Sequence, residues 1–461
     1  MPDEADNRSG LSSHRMTRVD RLLILLWSVG LVLTTWAYPG FESWVPAMFL
    51  FLIVCVVALY LLYMHEDFGE SRRWRPFLTE LPWVLFPTAA WAAGLLNPMA
   101  VFLREGNQAR VLAREASAWM PSSQLPGLTW GATALLTGIL MIHLLILLLP
   151  SRRIVLEICF RLLLINGGAV IVTALFVKAS GAERVMGIHR APNDGFLGPF
   201  VDPEQALFWI FLWAAICGSW LLGGGILHLL NRPPLDASRE GPTRIGEVWW
   251  GLRQTGIILL GFGWFTLAFG GGRTGVVLAL AAGGLCLLSF TARQQPAGPH
   301  PGRWAAAVAL VGGGTLLAFG GWPFPAGWEA ALAHQAGERW LWGGGPESSS
   351  ILLPFFQGPL DPVATVLSRT GSGWLDWWLG FGLVGWLWLV ALLIRLWVPR
   401  RETIAQSTLA QIFLAATGLV AIASLGSSLL HHPGLLYLTA FAVVGALRWA
   451  ELPGAGNRKT A

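Results

Sequence analysis

Apolar runs of about twenty residues recur along the chain, and short polar turns rich in Arg, Gly and Pro separate them. A run of that length spans a bilayer as a helix. About twelve such spans are legible, near 22–37, 45–64, 81–96, 128–149, 160–178, 205–230, 249–269, 274–291, 304–322, 374–397, 407–425 and 433–448. The third is short and contains Pro82 and Pro87, which predicts a kinked or shallow span. No segment shows the ten-residue apolar–polar alternation of a barrel strand. The expected fold class is therefore all-α: a polytopic integral membrane protein with about 12 transmembrane helices. We read residues 1–461 as a single transmembrane domain with one large loop, 323–373, on its outer side.

Composition agrees with this reading. Hydrophobic residues make up 54% of the 461 residues and charged residues 12%, with a mean hydropathy of +0.57; a soluble domain carries about twice that charged fraction. The polar N-terminus "MPDEADNRSGLSSHRMTRVDR" leads into the first apolar run without a convincing cleavage site, so that run reads as a retained helix. Counting span-edge residues with their nearer side, 22 of the 31 basic residues fall on one side of the spans, in the N-terminus, at span edges and in "SRRWR" (71–75), "SRR" (151–153), "NRPPLDASREGPTR" (231–244), "ARQQPAGPHPGR" (292–303), "PRR" (399–401) and "NRK" (457–459). The positive-inside bias then places both termini in the cytoplasm. It leaves 97–127, 179–204, the turn at Arg273, 323–373 and 427–434 on the outer face. Within the large loop, "FPAGWEAALAHQAGERWLWGGG" predicts an amphipathic surface helix ended by glycines.

Little in the chain points to cofactors. Cys55, Cys159, Cys217 and Cys286 sit in or beside apolar runs, with neither a pairing pattern nor metal-ligand spacing. Neither a phosphate-binding P-loop nor a dinucleotide fingerprint is present. The adjacent His431 and His432 lack a third ligand in the sequence, so no metal is expected. Nothing implies nucleic acid as a partner; the bilayer is the evident one. Several of the 26 Trp residues, among them Trp44, Trp83, Trp304 and Trp322, flank the spans as an interfacial belt would.

The outer face holds the candidate chemistry. Arg273, in "AFGGGRTGVVLALAAGGL", lies where the seventh span turns into the eighth. It reads either as a snorkelling anchor or as part of an anion site, since it opens a helix whose amides point outward and the glycines beside it admit a ligand. His189 and Arg190, in "VMGIHRAPNDGFLGPFVDPEQALFWIF", could contact a phosphate or a sugar. Arg339, Arg369 and Asp376 are polar handles among Trp residues, an association that suits sugar stacking and an interfacial belt equally.

Four stretches, in order, resemble the O-antigen ligase and polymerase family of bacterial membrane glycosyltransferases. "GFLGPFVDPEQALFWIF" resembles the family's "GPFVNRNHFAGYL", and "GGGRTGVVLALAAGGL" its "SRGGLLALL". "WEAALAHQAGERWLWGGGPES" is similar to "HPLLGVGLGTF", and "RTGSGWLDWWLGFGLVGW" to "HAHNDYLQLLAELGLVG". The resemblance implies a bacterial inner membrane and an active face in the periplasm. It implies metal-independent, inverting transfer of a glycan from an undecaprenyl-diphosphate carrier to a sugar acceptor, with no cofactor, alongside other polysaccharide-assembly proteins. Arg273 would hold the diphosphate, as the matching arginine is thought to do. Arg190, His189, Arg339 and Arg369 would be substrate-binding candidates. Two family features are missing: "RTGSG" stands where the loop histidines would fall, and "DPEQA" where an asparagine–histidine pair would. Their absence leaves two further readings, a glycan-binding or scaffolding subunit and a lipid-linked glycan transporter.

Overall fold

The structure, a computed structural model, describes residues 18–36, 74–98, 100–105, 108–113, 117, 119–123, 126–148, 153–180, 184–185, 189–190, 197–200, 202–222, 244–294, 301–320, 339–346, 372–427, 429 and 432–452. Eleven long helices run through them: α1 (Arg18–Trp36), α2 (Trp74–Ala93), α3 (Pro126–Leu148), α4 (Arg153–Ser180), α5 (Pro203–Trp220), α6 (Arg244–Gly270), α7 (Gly272–Gln294), α8 (Pro301–Gly320), α9 (Gly373–Trp397), α10 (Thr408–Ala423) and α11 (Pro433–Glu451). Each coincides with an expected span; the second, 45–64, lies outside the described residues. Among the described residues, five stretches are long and apolar enough to cross a membrane: Thr129–Leu148, Arg153–Ser180, Gly272–Ala292, Gly373–Gln406 and Pro433–Glu451. The all-α expectation holds, and α2 runs on through Pro82 and Pro87. Two small antiparallel pairs were not anticipated: β1 (Ala100–Glu105) with β2 (Gln108–Ala113), and β3 (Arg184–Val185) with β4 (His189–Arg190).

Helix α5 is the central post. It is apolar around its whole circumference, so no face favours water, and every residue from Gln205 to Trp220 is buried. Helices α4, α6, α7, α10 and α11 pack around it. Small residues set how closely they approach. A side chain at Gly167 on α4 would overlap the Trp213 indole, whose Nε1 donates to Leu163 O at 3.1 Å. The glycine therefore opens the bay in which Trp213, one of the three tryptophans of α5, sits. On the far side, Gly312 and Gly313 of α8 lie against Leu419 and Ile422 of α10.

Helix α9 is broken at Gly382, whose φ of 59° and ψ of −161° are open essentially to glycine alone. Residues 340–345 lace into the break. Leu383 N donates to Trp340 O at 2.9 Å and Val384 N to Leu341 O at 3.0 Å. In return Gly344 N donates to Leu379 O at 2.8 Å and Gly345 N to Gly380 O at 3.0 Å. Gly343, at φ 72°, lies so close that a Cβ there would sit 2.5 Å from Gly380 O. The turn also rests on α2 and α3: Trp91 Nε1 donates to Trp342 O at 3.3 Å, and Thr129 Oγ1 to Pro346 O at 3.2 Å.

Gly382→Ala is expected to cost about 1–3 kcal/mol from backbone strain alone, and more because the new methyl would lie 2.5 Å from Gly343 N. Gly314→Ala on α8, where nothing lies within 4 Å of a Cβ, should be neutral or slightly stabilising. Thermal midpoints of the two variants in detergent check this; equal midpoints would sink the interlock.

Candidate functional site

The bundle's two faces differ in which helix ends they present. One carries the N-termini of α3, α5, α7, α9 and α11, tied to neighbouring C-termini by direct contacts. Gly373 N donates to Ser424 O and Ser427 O, joining the start of α9 to the end of α10. Gly434 packs on Thr34 O, joining the start of α11 to the end of α1. Gly271, between α6 and α7, packs on Leu207 in the first turn of α5. A helix start presents unsatisfied amides and a positive partial charge to its own surroundings, so a preference for anions on this face is local to each start, with the carbonyl ends of α1, α6 and α10 between them.

Arg273 lies on this face. Gly270, Gly271 and Gly272 reverse the chain within a few residues; Gly272 has φ 56°, and Gly275 N donates to Gly271 O at 3.1 Å. A side chain at Gly275 would strike Leu267 O, so the two helices touch backbone to backbone. Arg273, in the first turn of α7, is exposed. Among the described residues no hydrogen bond or ion pair engages its guanidinium. A cation at a helix start opposes the dipole, so the position is unfavourable for the helix unless something anionic joins it.

The start of α5 is built next to this turn. Asp202 caps the helix, accepting from Glu204 N at 2.9 Å, and Pro203 takes the first helical position. Just before it, Leu197 and Phe200 exchange backbone hydrogen bonds around Gly198, which has φ 58° and packs on Val170 O and Ala174 of α4. Phe200 is wholly buried, with its ring 4.5 Å from that of His432. His432 is itself buried and caps α11 by accepting from Gly434 N through Nδ1. Residues 197–200 of that stretch and one of the paired histidines thus pack together at the starts of α5 and α11. His431 lies outside the described residues.

Other expected site residues fall in different places. His189 and Arg190 form β4, paired through the backbone to Val185 and Arg184. Arg339 is 8% exposed and donates through Nη1 to Ser117 O at 2.8 Å. Asn97 holds the same segment, accepting from Ser117 N and donating to the carbonyls of Ser117, Met120 and Pro121. Trp342 Nε1 adds a bond to Trp119 O at 3.0 Å. Arg339 therefore braces the loop that follows the β1–β2 hairpin, and no described contact joins it to Arg273. Asp376 is buried in the first turn of α9. Arg369 lies outside the described residues. Sequence reasoning passed over Asn97, although an Asn before Pro98 is a turn signal.

An apolar cavity of about 410 Å³ opens between α4 and α6, lined by Leu164, Ile165, Gly168, Val172, Thr255 and Leu259 among others. It lies about three helical turns below Gly270 and is separate from the Arg273 face. Among the described residues no group of three or more His, Cys, Asp or Glu gathers as a metal site.

Comparison with family models, with curated proteins and with solved structures finds no significant match to this chain.

The different settings of two arginines are testable. Arg339→Ala removes a buried charge-assisted bond and should destabilise the fold by about 1.5–3 kcal/mol. Arg273→Ala should leave the thermal midpoint unchanged or slightly raised. A fall of equal size in both variants would mean that Arg273 is structural too.

Proposed function

We propose that this chain transfers a glycan from a lipid-diphosphate carrier to a sugar acceptor at the face that carries Arg273, as the resemblance to O-antigen ligases and polymerases implies. The observation that carries the proposal is Arg273: an exposed arginine in the first turn of α7, at a glycine reversal, with no described carboxylate engaging it. A guanidinium beside free helix amides suits a phosphate, through a fork of donors and a favourable dipole. Placed at the leaving diphosphate, these donors would stabilise charge as it develops, which is the part of such a reaction that a fixed charge can accelerate. The donor's lipid would remain in the bilayer beside the apolar helices. His189, Arg190 and Arg369 are proposed as further contacts to the donor or acceptor. The bacterial inner membrane and a periplasmic active face belong to the same proposal.

The second reading, a glycan-binding or scaffolding subunit, is favoured by one feature of the chain. "RTGSG" and "DPEQA" lack the histidines of the family motifs, and a general base typically supplies about 10²–10⁴-fold in rate.

Deleting the gene in its native host and restoring variants separates the readings, with protein level followed by immunoblot. Arg273→Ala is expected to lower the surface glycan product about 10²–10³-fold, the usual loss for one transition-state donor, while Arg273→Lys recovers part of it. Full product from Arg273→Ala, when deletion removes it, would overturn the transfer mechanism and leave the scaffold.

A further inference from the structure

The opposite face of the bundle gathers arginines from three distant parts of the chain onto one helix turn. Arg153, the first residue of α4, lays its guanidinium over the Trp449 ring at 4.6 Å from the centroid. Its Nη2 donates to Trp449 O at 3.3 Å. Arg448 Nη1 donates to Glu451 Oε2 at 2.8 Å. Arg400, in the single turn Val398–Arg400 after α9, puts Nε 2.7 Å from the other Glu451 oxygen. Arg401 follows it, exposed and without a described partner. The carboxylates beside these four guanidinium groups are Glu451, the exposed Glu402 and Glu157, one turn on from Arg153 and also paired with Arg161 at 3.9 Å, so five arginines face three carboxylates and positive charge is in surplus.

The helix itself accounts for part of this. Cations near the last turn of α11 meet its negative dipole end, and Arg153 and Arg448 are placed for that. Arg400 and Arg401 belong to a different element and add charge beyond what the dipole and Glu451 absorb. Next to them, Trp397 is 46% exposed and Val398 53% exposed, at the end of a helix apolar enough to cross a membrane. An apolar shoulder directly beneath an arginine rim matches a phospholipid: chains and glycerol below, phosphate above. A soluble anion would use the rim and leave the shoulder idle.

We propose that Arg153, Arg400, Arg401 and Arg448 form a binding site for the phosphate of an anionic membrane lipid, whose acyl chains lie along Trp397 and Val398. Guanidinium forks bind phosphate oxygens in pairs, and an indole beside them sits at the level of the headgroups. This proposal is independent of the transfer reaction, because it concerns the other face and none of the proposed site residues.

The test uses the full-length chain purified in detergent and exchanged into mixed micelles of phosphatidylcholine and phosphatidylglycerol. Retained lipid is quantified by mass spectrometry after size exclusion, and thermal midpoints are read in parallel. Phosphatidylglycerol should be enriched over its share of the micelle and should raise the midpoint. Arg401→Gln should cut the enrichment about fivefold, and Arg400→Gln with Arg401→Gln about 25-fold, at about a fivefold effect per charge near a lipid surface. Arg401→Lys should keep most of it, and Lys178→Gln, at the other end of α4 from Arg153, all of it. If the double variant does not fold, the wild type and Arg401→Gln decide alone, since Arg401 holds nothing described in place. Equal retention of both lipids, or enrichment indifferent to Arg401, overturns the proposal. So does inorganic phosphate, at matched ionic strength, reproducing the rise in midpoint without phosphatidylglycerol, which would mark a soluble-anion site.

Discussion

The interlock between the broken helix α9 and the glycine turn at 343–345 is the constraint on which one whole corner of the bundle depends. A helix interrupted inside an apolar bundle frees amides and carbonyls that water hardly reaches, and each costs several kcal/mol if left alone. Here the turn segment 340–345 shares four backbone bonds with residues 379–384. The exchange works only at backbone distance, which is why Gly343, Gly380 and Gly382 meet without a side chain between them. Once laced, the turn fixes the ends of α2 and α3 through Trp91 and Thr129 and sets Arg339 against the loop at Ser117. Residues 340–346 are thus anchored within the bundle.

Close approach recurs at the Arg273 reversal in a different form. There the pressure is the return of α7 along α6, and Gly275 meeting Leu267 O sets the distance. Both devices leave a helix start in a defined position, but they spend the nearby arginine differently. Arg339 is buried and committed to a carbonyl. Arg273 is exposed, with no described bond and on the unfavourable side of a helix dipole. This difference separates a brace from a candidate ligand group, and a glycine-flanked arginine in a sequence does not by itself reveal it.

The helical spans were legible because transfer to lipid is read residue by residue, so a run of apolar residues suffices. The break in α9 was not. "GWLDWWLGFGLVGW" is apolar throughout, and a glycine inside a helical pattern is tolerated far more often than it marks a break. What forces the break is a partner thirty-odd residues upstream, and hydropathy carries no information about partners. The hairpin from Ala100 to Ala113 was missed for a related reason: "AVFLREGNQARVLA" is short, with "GN" as its only turn signal. At the site, Arg273 stood out as a charge within an apolar run, and its exposure agrees. His432 and Phe200 did not, since a histidine pair reads as polar until the buried ring packing is seen.

The two faces follow from one alternation. Helices α3, α5, α7, α9 and α11 start on the Arg273 face beside the ends of α1, α6 and α10, so amide and carbonyl ends alternate on that face. The dipole therefore acts at each terminus separately, favouring an acid at a helix start and a base at a helix end. The charges follow the second half of that rule closely: Arg395 pairs with Glu80 beside Trp83, and Arg153 and Arg448 surround the end of α11. Arg273 breaks the first half, because a cation stands at a helix start where an acid or a cap would stabilise more. A local rule broken without a compensating contact is expected where the compensation is a ligand. An anion bound at Arg273 would satisfy both the arginine and the amides of α7, turning the least favourable charge placement on that face into a stabilising one.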